Sequence, residues 1–210
     1  MSRANFSLYL VTDRGQTGGR PLIEVVEGCL DAGVRAIQLR EKDLSTRELF
    51  TLAEVLRELT RKYHAALFIN DLIDVALALG ANGVHLPSES FPADYARKLV
   101  GPAAVIGVST HSIAEAREAE AGGADFIVFG PVFDTPSKRP YGPPQGLEAL
   151  RAVRQAVSLP LLAIGGVTPD RVPALRAAGA DGVAAISALL GAPDPGHATR
   201  QFLKELEARQ

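Results

Sequence analysis

Eight short apolar runs punctuate this 210-residue chain, and each gives way to a glycine or a polar residue. In the first half they are Leu8–Val11 before Thr12-Asp13, Ala36–Leu39 before Arg40, Ala66–Ile69 before Asn70-Asp71, and Val84–Leu86 before Pro87-Ser88. In the second half they are Val105–Val108 before Ser109, Phe126–Phe129 before Gly130, Leu161–Ile164 before Gly165-Gly166, and Val183–Ile186 before Ser187. Stretches of helical periodicity separate most of them. Strand followed by helix, eight times over, predicts an α/β protein folded as a single (β/α)8 TIM barrel. Such barrels keep their chemistry at the carboxyl ends of the strands. The polar residues that close the runs are therefore the functional candidates.

A second repetition supports this fold. Ala32-Gly33-Val34, Gly80-Ala81-Asn82-Gly83-Val84, Gly123-Ala124-Asp125-Phe126 and Gly179-Ala180-Asp181-Gly182-Val183 are variants of one phrase. In each, glycine ends a helix in the left-handed conformation and a short turn feeds the next strand. Helices are expected over Pro21–Ala32, Ser45–His64, Gly146–Val157, Thr168–Ala178 and Pro195–Arg209. Pro21 suits a first helical turn, and Ser45-Thr46-Arg47-Glu48 reads as a capping box. No linker or low-complexity stretch divides the chain, so residues 1–210 read as one domain.

Composition narrows the function classes. A net charge of −2 gives no general attraction to nucleic acid or to an anionic membrane. The apolar runs fall far short of the ~20 residues needed to cross a bilayer, and Met1–Phe6 lacks a signal-peptide core. A lone cysteine, Cys29, at an apolar helix position reads as a core thiol in a reducing cytoplasm. Small molecules are the expected partners, and self-association into a homo-oligomer is left open.

Two constellations at the strand ends look built for anions. In Gln38-Leu39-Arg40-Glu41-Lys42, alternation puts Gln38, Arg40 and Lys42 on one face. One amide and two cations there suit a diphosphate, against the plainer reading of a solvated charged loop. Asn70-Asp71 closes the next strand. Asp71 offers the hard oxygen that Mg²⁺ prefers, and it equally suits an N-cap for a helix over Leu72–Leu79. Gly165-Gly166-Val167-Thr168 and Ile186-Ser187 follow strands seven and eight, where these barrels often hold a phosphate. Glycine would let a backbone approach there, and Thr168 before Pro169 reads as an N-cap.

The longest loop, Phe129–Gly146, is rich in Pro and Gly and carries Thr135, Pro136, Ser137 and Lys138. Loops of this length in compact domains are usually binding loops or lids, and Lys138 suits an anionic substrate, against the plainer reading of a surface loop. Among the histidines, His85 reads as a satisfied lumen residue rather than a base, and His111 as the start of a helix. No histidine spacing resembles a zinc site. Ser109 ends strand five beside the expected diphosphate site, where helix capping is an alternative role.

The segments LYLVTD, IQLREK, FIND, GVHL, IGVSTHS, ADFIVFGPVFDTPSK, AIGGVTPDRV and AGADGVAAIS, in that order from Leu8 to Leu190, resemble the thiamine phosphate synthase/TenI superfamily. That resemblance implies thiamine biosynthesis. The synthase joins hydroxymethylpyrimidine diphosphate to a thiazole phosphate, releasing diphosphate, whereas the TenI branch tautomerises thiazole phosphate carboxylate. Carried over by motif, the synthase pattern assigns Gln38, Arg40, Lys42, Asn70, Ser109 and Lys138 to the pyrimidine diphosphate. Arg40, Lys42, Lys138 and Ser109 are its catalytic set. Thr135, Pro136, Ser137, Gly166, Ile186 and Ser187 fall to the thiazole phosphate, and Asp71 to Mg²⁺.

Two departures bear on the choice of branch. The synthase usually reads GVHLGQED with a second Mg²⁺ ligand at its end, and here Ser90 stands at that position. The segment LPSESF is closer to the TenI pattern. The TenI type, however, carries a histidine in an FGHVF segment where this chain has Pro131, and it tends to lose the aspartate retained here as Asp71. The surviving diphosphate set favours the transferase over the tautomerase, and over a non-catalytic regulator that binds thiamine phosphates.

Overall fold

A parallel strand wrapped by helices is buried on both faces, which is why these strands read as unbroken apolar runs. The computed structural model describes residues 4–135, 139 and 142–208. Its strands are β1 (Leu8–Val11), β2 (Ala36–Leu39), β3 (Ala66–Asn70), β4 (Gly83–Leu86), β5 (Val105–Thr110), β6 (Phe126–Phe129), β7 (Leu161–Ala163) and β8 (Gly182–Ala185). They pair in parallel and in sequence order, and β8 pairs with β1 to close the barrel. The predicted fold is the observed one, with strand limits differing from the sequence reading by two residues at most.

Around the outside run α1 (Leu22–Asp31), α2 (Thr46–Lys62), α3 (Ile73–Ala78), α4 (Ala93–Val100), α5 (Ile113–Ala121), α6 (Gly146–Ala156), α7 (Val172–Ala177), α8 (Ser187–Leu190) and α9 (Pro195–Glu207). The Ser45 capping box forms, its side chain accepting from the Glu48 amide while Glu48 reaches back to the Ser45 amide. Such a cap is worth about 1 kcal/mol. Gly33, Gly80, Gly123 and Gly179 all take positive φ at the helix-to-strand turns. Three expectations need correction. Pro21 occupies the N-cap position rather than the first helical turn. The segment after Thr168 is not one helix: a 3-10 turn over Pro169–Arg171 precedes α7, and the Thr168 side chain makes no capping bond. His111 lies before α5, whose cap is Ser112.

Side chains alternate between two cores. The larger lies between strands and helices and takes in Cys29, which is fully buried. The smaller fills the lumen with Tyr9, Val11, Ala36, Phe68, Phe126, Val128, Leu162 and Ala184. Phe6, just before β1, packs on Tyr9, Phe68 and Phe126 with ring centroids 5.3–5.7 Å apart. The contacts with Phe68 and Phe126 are edge-on and that with Tyr9 is tilted, and together the rings plug the amino-terminal end of the barrel. Gly107 makes the plug possible, because a Cβ there would lie 2.2 Å from the Phe126 ring and 2.8 Å from His85 Nδ1. No helix among the described residues is long and apolar enough to cross a membrane.

Candidate active site at the carboxyl rim

Strand register decides which polar residues look into the barrel above the plug. Gln38 lies two residues beyond the lumen residue Ala36, Asn70 two beyond Phe68, Ser109 two beyond Gly107, and Ile186 two beyond Ala184. Pairing of Asn70 with His85 and of His85 with Gly107 puts these groups side by side on β3, β4 and β5. Gln38 is 3% exposed, and its Nε2 has no hydrogen-bond partner among the described residues. A buried amide donor without a partner is costly and points to a ligand that completes it.

Arg40 follows the end of β2, its amide donating to Thr12 Oγ1 at 2.9 Å. Beside it the sequence reading needs correction. Because β2 stops at Leu39, strand alternation does not extend to Lys42, which is exposed in a turn. The buried neighbour is Glu41, 4% exposed, whose carboxylate accepts the Arg14 amide at 3.1 and 3.2 Å and the Arg14 guanidinium at 3.3 Å. This clamp joins the β1 and β2 rim loops and anchors the backbone between Arg40 and Lys42.

His85 is satisfied inside the lumen, as expected. Its Nε2 lies 2.9 Å from Ser109 Oγ, and its Nδ1 lies 3.5 Å from the Tyr9 hydroxyl. Burial, and secondarily the positive charge of Arg40, lower its pKa to about 3, so the ring is neutral at ordinary pH. Ser109 is thus engaged by His85 and does not cap a helix.

Asp71 follows β3 with φ +64°, the left-handed region that Asp tolerates better than most residues. Its amide donates to the His85 carbonyl at 2.9 Å. Its carboxylate does not cap α3 as expected; the helix begins after Leu72 without a side-chain cap, and the carboxylate instead accepts from the Ser90 hydroxyl. The described residues hold no group of three or more His, Cys, Asp or Glu side chains arranged to bind a metal. One exposed carboxylate paired with a hydroxyl is still a hard-oxygen set. It suits a cation that takes its remaining ligands from phosphate and water.

Across the rim, Gly165 and Gly166 have φ of +98° and +60°. The backbone that approaches them is the protein's own loop. A Cβ on Gly165 would lie 2.5 Å from Pro131 Cα, and one on Gly166 would lie 2.6 Å from the Asp134 carbonyl oxygen. The Val132 amide donates to the Ile164 carbonyl at 2.8 Å, and the Phe133 amide to the Gly165 carbonyl at 3.0 Å. This pairing sets Phe133 and Asp134 against Gly166, and Thr135, next in the chain, is half-buried. Arg171 donates to the Gly166 carbonyl at 2.5 Å and stacks over the Phe133 ring. Ile186 is the N-cap of α8 and Ser187 its first residue, so the first amides of that helix lack intrahelical acceptors. Pro136, Ser137 and Lys138 lie outside the described residues.

Sequence reading missed two features of the rim, the Glu41–Arg14 clamp and the Tyr9–His85–Ser109 contacts. Charged residues two and three positions past the ends of adjacent strands were the available signal for the first. For the second it was a histidine in phase with lumen positions.

A family model described as thiamine monophosphate synthase matches residues 8–189. The thiamine-phosphate synthase of Moorella thermoacetica is 48% identical over 97% of this chain and 97% of its own. That of Roseiflexus castenholzii is 47% identical over 92% of this chain and 85% of its own. Among solved structures, the thiamine phosphate pyrophosphorylase from Pyrococcus furiosus superposes with a TM-score of 0.87 at 41% identity, covering 96% of this chain and 95% of that one. Motif order, closed barrel and these relatives agree, and the chain belongs to the thiamine monophosphate synthase family.

Proposed function

We propose that this protein is a thiamine phosphate synthase that joins hydroxymethylpyrimidine diphosphate to thiazole phosphate, giving thiamine phosphate and diphosphate. The observation that carries the reading is the buried Gln38 amide at the barrel mouth, unpartnered among the described residues, with Arg40 just past the same strand and Asn70 and Ser109 at the ends of β3 and β5. Donors fixed before substrate arrives need no reorganisation as charge develops, which makes them effective against a leaving diphosphate. Asp71 would hold Mg²⁺, assisted by Ser90, Glu89 or water. When bound, the ion supplies positive charge to a diphosphate.

The transfer breaks the bond from the pyrimidine methylene carbon to the diphosphate oxygen, and the electron pair leaves with diphosphate. The electron-rich aminopyrimidine carries the methylene cation, and the thiazole nitrogen donates the pair that forms the new C–N bond. Arg40, Lys42, Lys138 and the Ser109 hydroxyl would neutralise or solvate the departing group. Thr135, Pro136, Ser137, Gly166, Ile186 and Ser187 would seat the thiazole phosphate. The buried thiol of Cys29 fits a reducing cytoplasm.

Purified protein supplied with both substrates and Mg²⁺ should release diphosphate and form thiamine phosphate in equal amounts. Lys138→Ala and Arg40→Ala should each slow this severely. Absence of release at saturating Mg²⁺, with proton exchange on thiazole phosphate carboxylate, would replace the reading with the tautomerase.

A further inference from the structure

Two buried groups, the Tyr9 hydroxyl and the His85 ring, and the half-buried Ser109 hydroxyl form a line through the lumen to the rim. We infer that His85 is a positioning residue, held by Tyr9 in the tautomer protonated at Nε2, so that it donates to Ser109 and leaves the Ser109 proton to point at substrate. The inference rests on the transferase reading above and assigns direction to one of its donors.

Hydrogen-bond counting decides between the two tautomers. Tyr9 is fully buried, and His85 Nδ1 is the one acceptor its O–H reaches among the described residues. Burial raises the Tyr9 pKa well above its ordinary value, so the hydroxyl keeps its proton. If Nδ1 carried the ring proton, Nδ1 would donate to the Tyr9 oxygen and the Tyr9 proton would be stranded in an apolar plug. Stranding a buried donor disfavours an arrangement by about tenfold or more. With the proton on Nε2, Tyr9 donates to Nδ1 and Nε2–H donates to Ser109 Oγ, so no donor is wasted. The Ser109 oxygen is then an acceptor towards His85, and its own O–H is left for a partner at the mouth. An anionic oxygen of the substrate is the chemistry that would take it.

The contact lengths fit this polarity. The His85–Ser109 contact, at 2.9 Å, fixes the hydroxyl rotor, while the Tyr9 contact at 3.5 Å is looser and biases only the tautomer. Gly107 keeps the line intact, since any Cβ there would press on Nδ1.

Two measurements test the inference. In ligand-free wild-type protein labelled with ¹⁵N at histidine, two-bond N–H correlations should show His85 protonated at Nε2 and bare at Nδ1. The opposite pattern overturns it, whatever reaction the protein catalyses. The second is a double-mutant cycle in the diphosphate-release assay. Ser109→Ala and His85→Leu should each lower kcat by tenfold or more, while His85→Leu on the Ser109→Ala background should change kcat by less than threefold. His85→Gln, whose amide can donate from near the Nε2 position, should recover most of the His85→Leu loss. Additive losses, or equal loss in the Gln and Leu variants, would make His85 a packing residue and overturn the inference. A wild type without transferase activity but with the Nε2–H tautomer would sink the proposed reaction and leave the tautomer assignment standing.

Discussion

The Ser90 hydroxyl donates to the Asp71 carboxylate, linking the loops that follow β4 and β3. A hydroxyl stands where a second carboxylate would make a two-aspartate metal site, and it spends its proton on the first. Ser90→Asp should therefore lower the Mg²⁺ concentration for half-maximal activity by about threefold to tenfold, because a carboxylate is the better Mg²⁺ ligand. Asp71→Asn should raise it. Asn tolerates the positive φ at this position, so the second variant removes charge without breaking the turn. If neither variant shifts the Mg²⁺ titration, the metal is held elsewhere.

Gly166 has no room for a side chain. A Cβ there would meet the Asp134 carbonyl oxygen at 2.6 Å and Phe133 Cβ at 2.9 Å, and its φ of +60° disfavours a branched residue. Gly166→Val should push the Phe133–Thr135 segment away and raise KM for thiazole phosphate tenfold or more. KM for the pyrimidine diphosphate should change less than threefold. Parallel losses for both substrates in a folded variant would argue against separate subsites.

Glu41→Ala leaves the Arg14 amide and guanidinium without their buried acceptor. The expected destabilisation is about 1–3 kcal/mol by urea unfolding. Since Glu41 stands between Arg40 and Lys42, the folded variant should also show a raised KM for the diphosphate substrate. A stability loss with unchanged kinetics would restrict the clamp to a structural role.

His85 makes the fold sensitive to acid. Its unfolded pKa is about 6.5, and burial lowers the folded value to about 3. Between those values the unfolded chain binds a proton that the folded chain refuses. Its contribution to stability is therefore complete above pH 6.5 and declines as the pH falls towards 3. In His85→Gln the slope of unfolding free energy against pH should be shallower across this window. An unchanged slope would mean that the ring protonates inside the folded barrel.

The barrel was legible because each strand is short, continuous and closed by a residue of different character. Asn70 and Ser109 were legible for the same reason, and Gln38 because period-two alternation is local and survives wherever the strand does. Lys42 marks where that logic ends. Alternation carried to Lys42 runs three residues past the last ladder pair, and the turn there buries Glu41 against Arg14, a partner 27 residues away. Asp71 shows the second limit. A cap and a cross-loop acceptor look alike in sequence, and only the position of Ser90, 19 residues on, separates them. The Tyr9–His85 contact spans 76 residues, beyond anything periodicity reports.

Among the described residues, the aromatic floor built on Phe6, Tyr9, Phe68 and Phe126 closes the amino-terminal end of the lumen and leaves the carboxyl rim as the doorway. Everything that enters at the carboxyl rim must leave by it. Two substrates and two products then share one vestibule, and whichever settles deepest is the last able to depart. If traffic through that doorway and not bond making limits turnover, substitutions at the rim should change kcat without changing the rate of the first turnover.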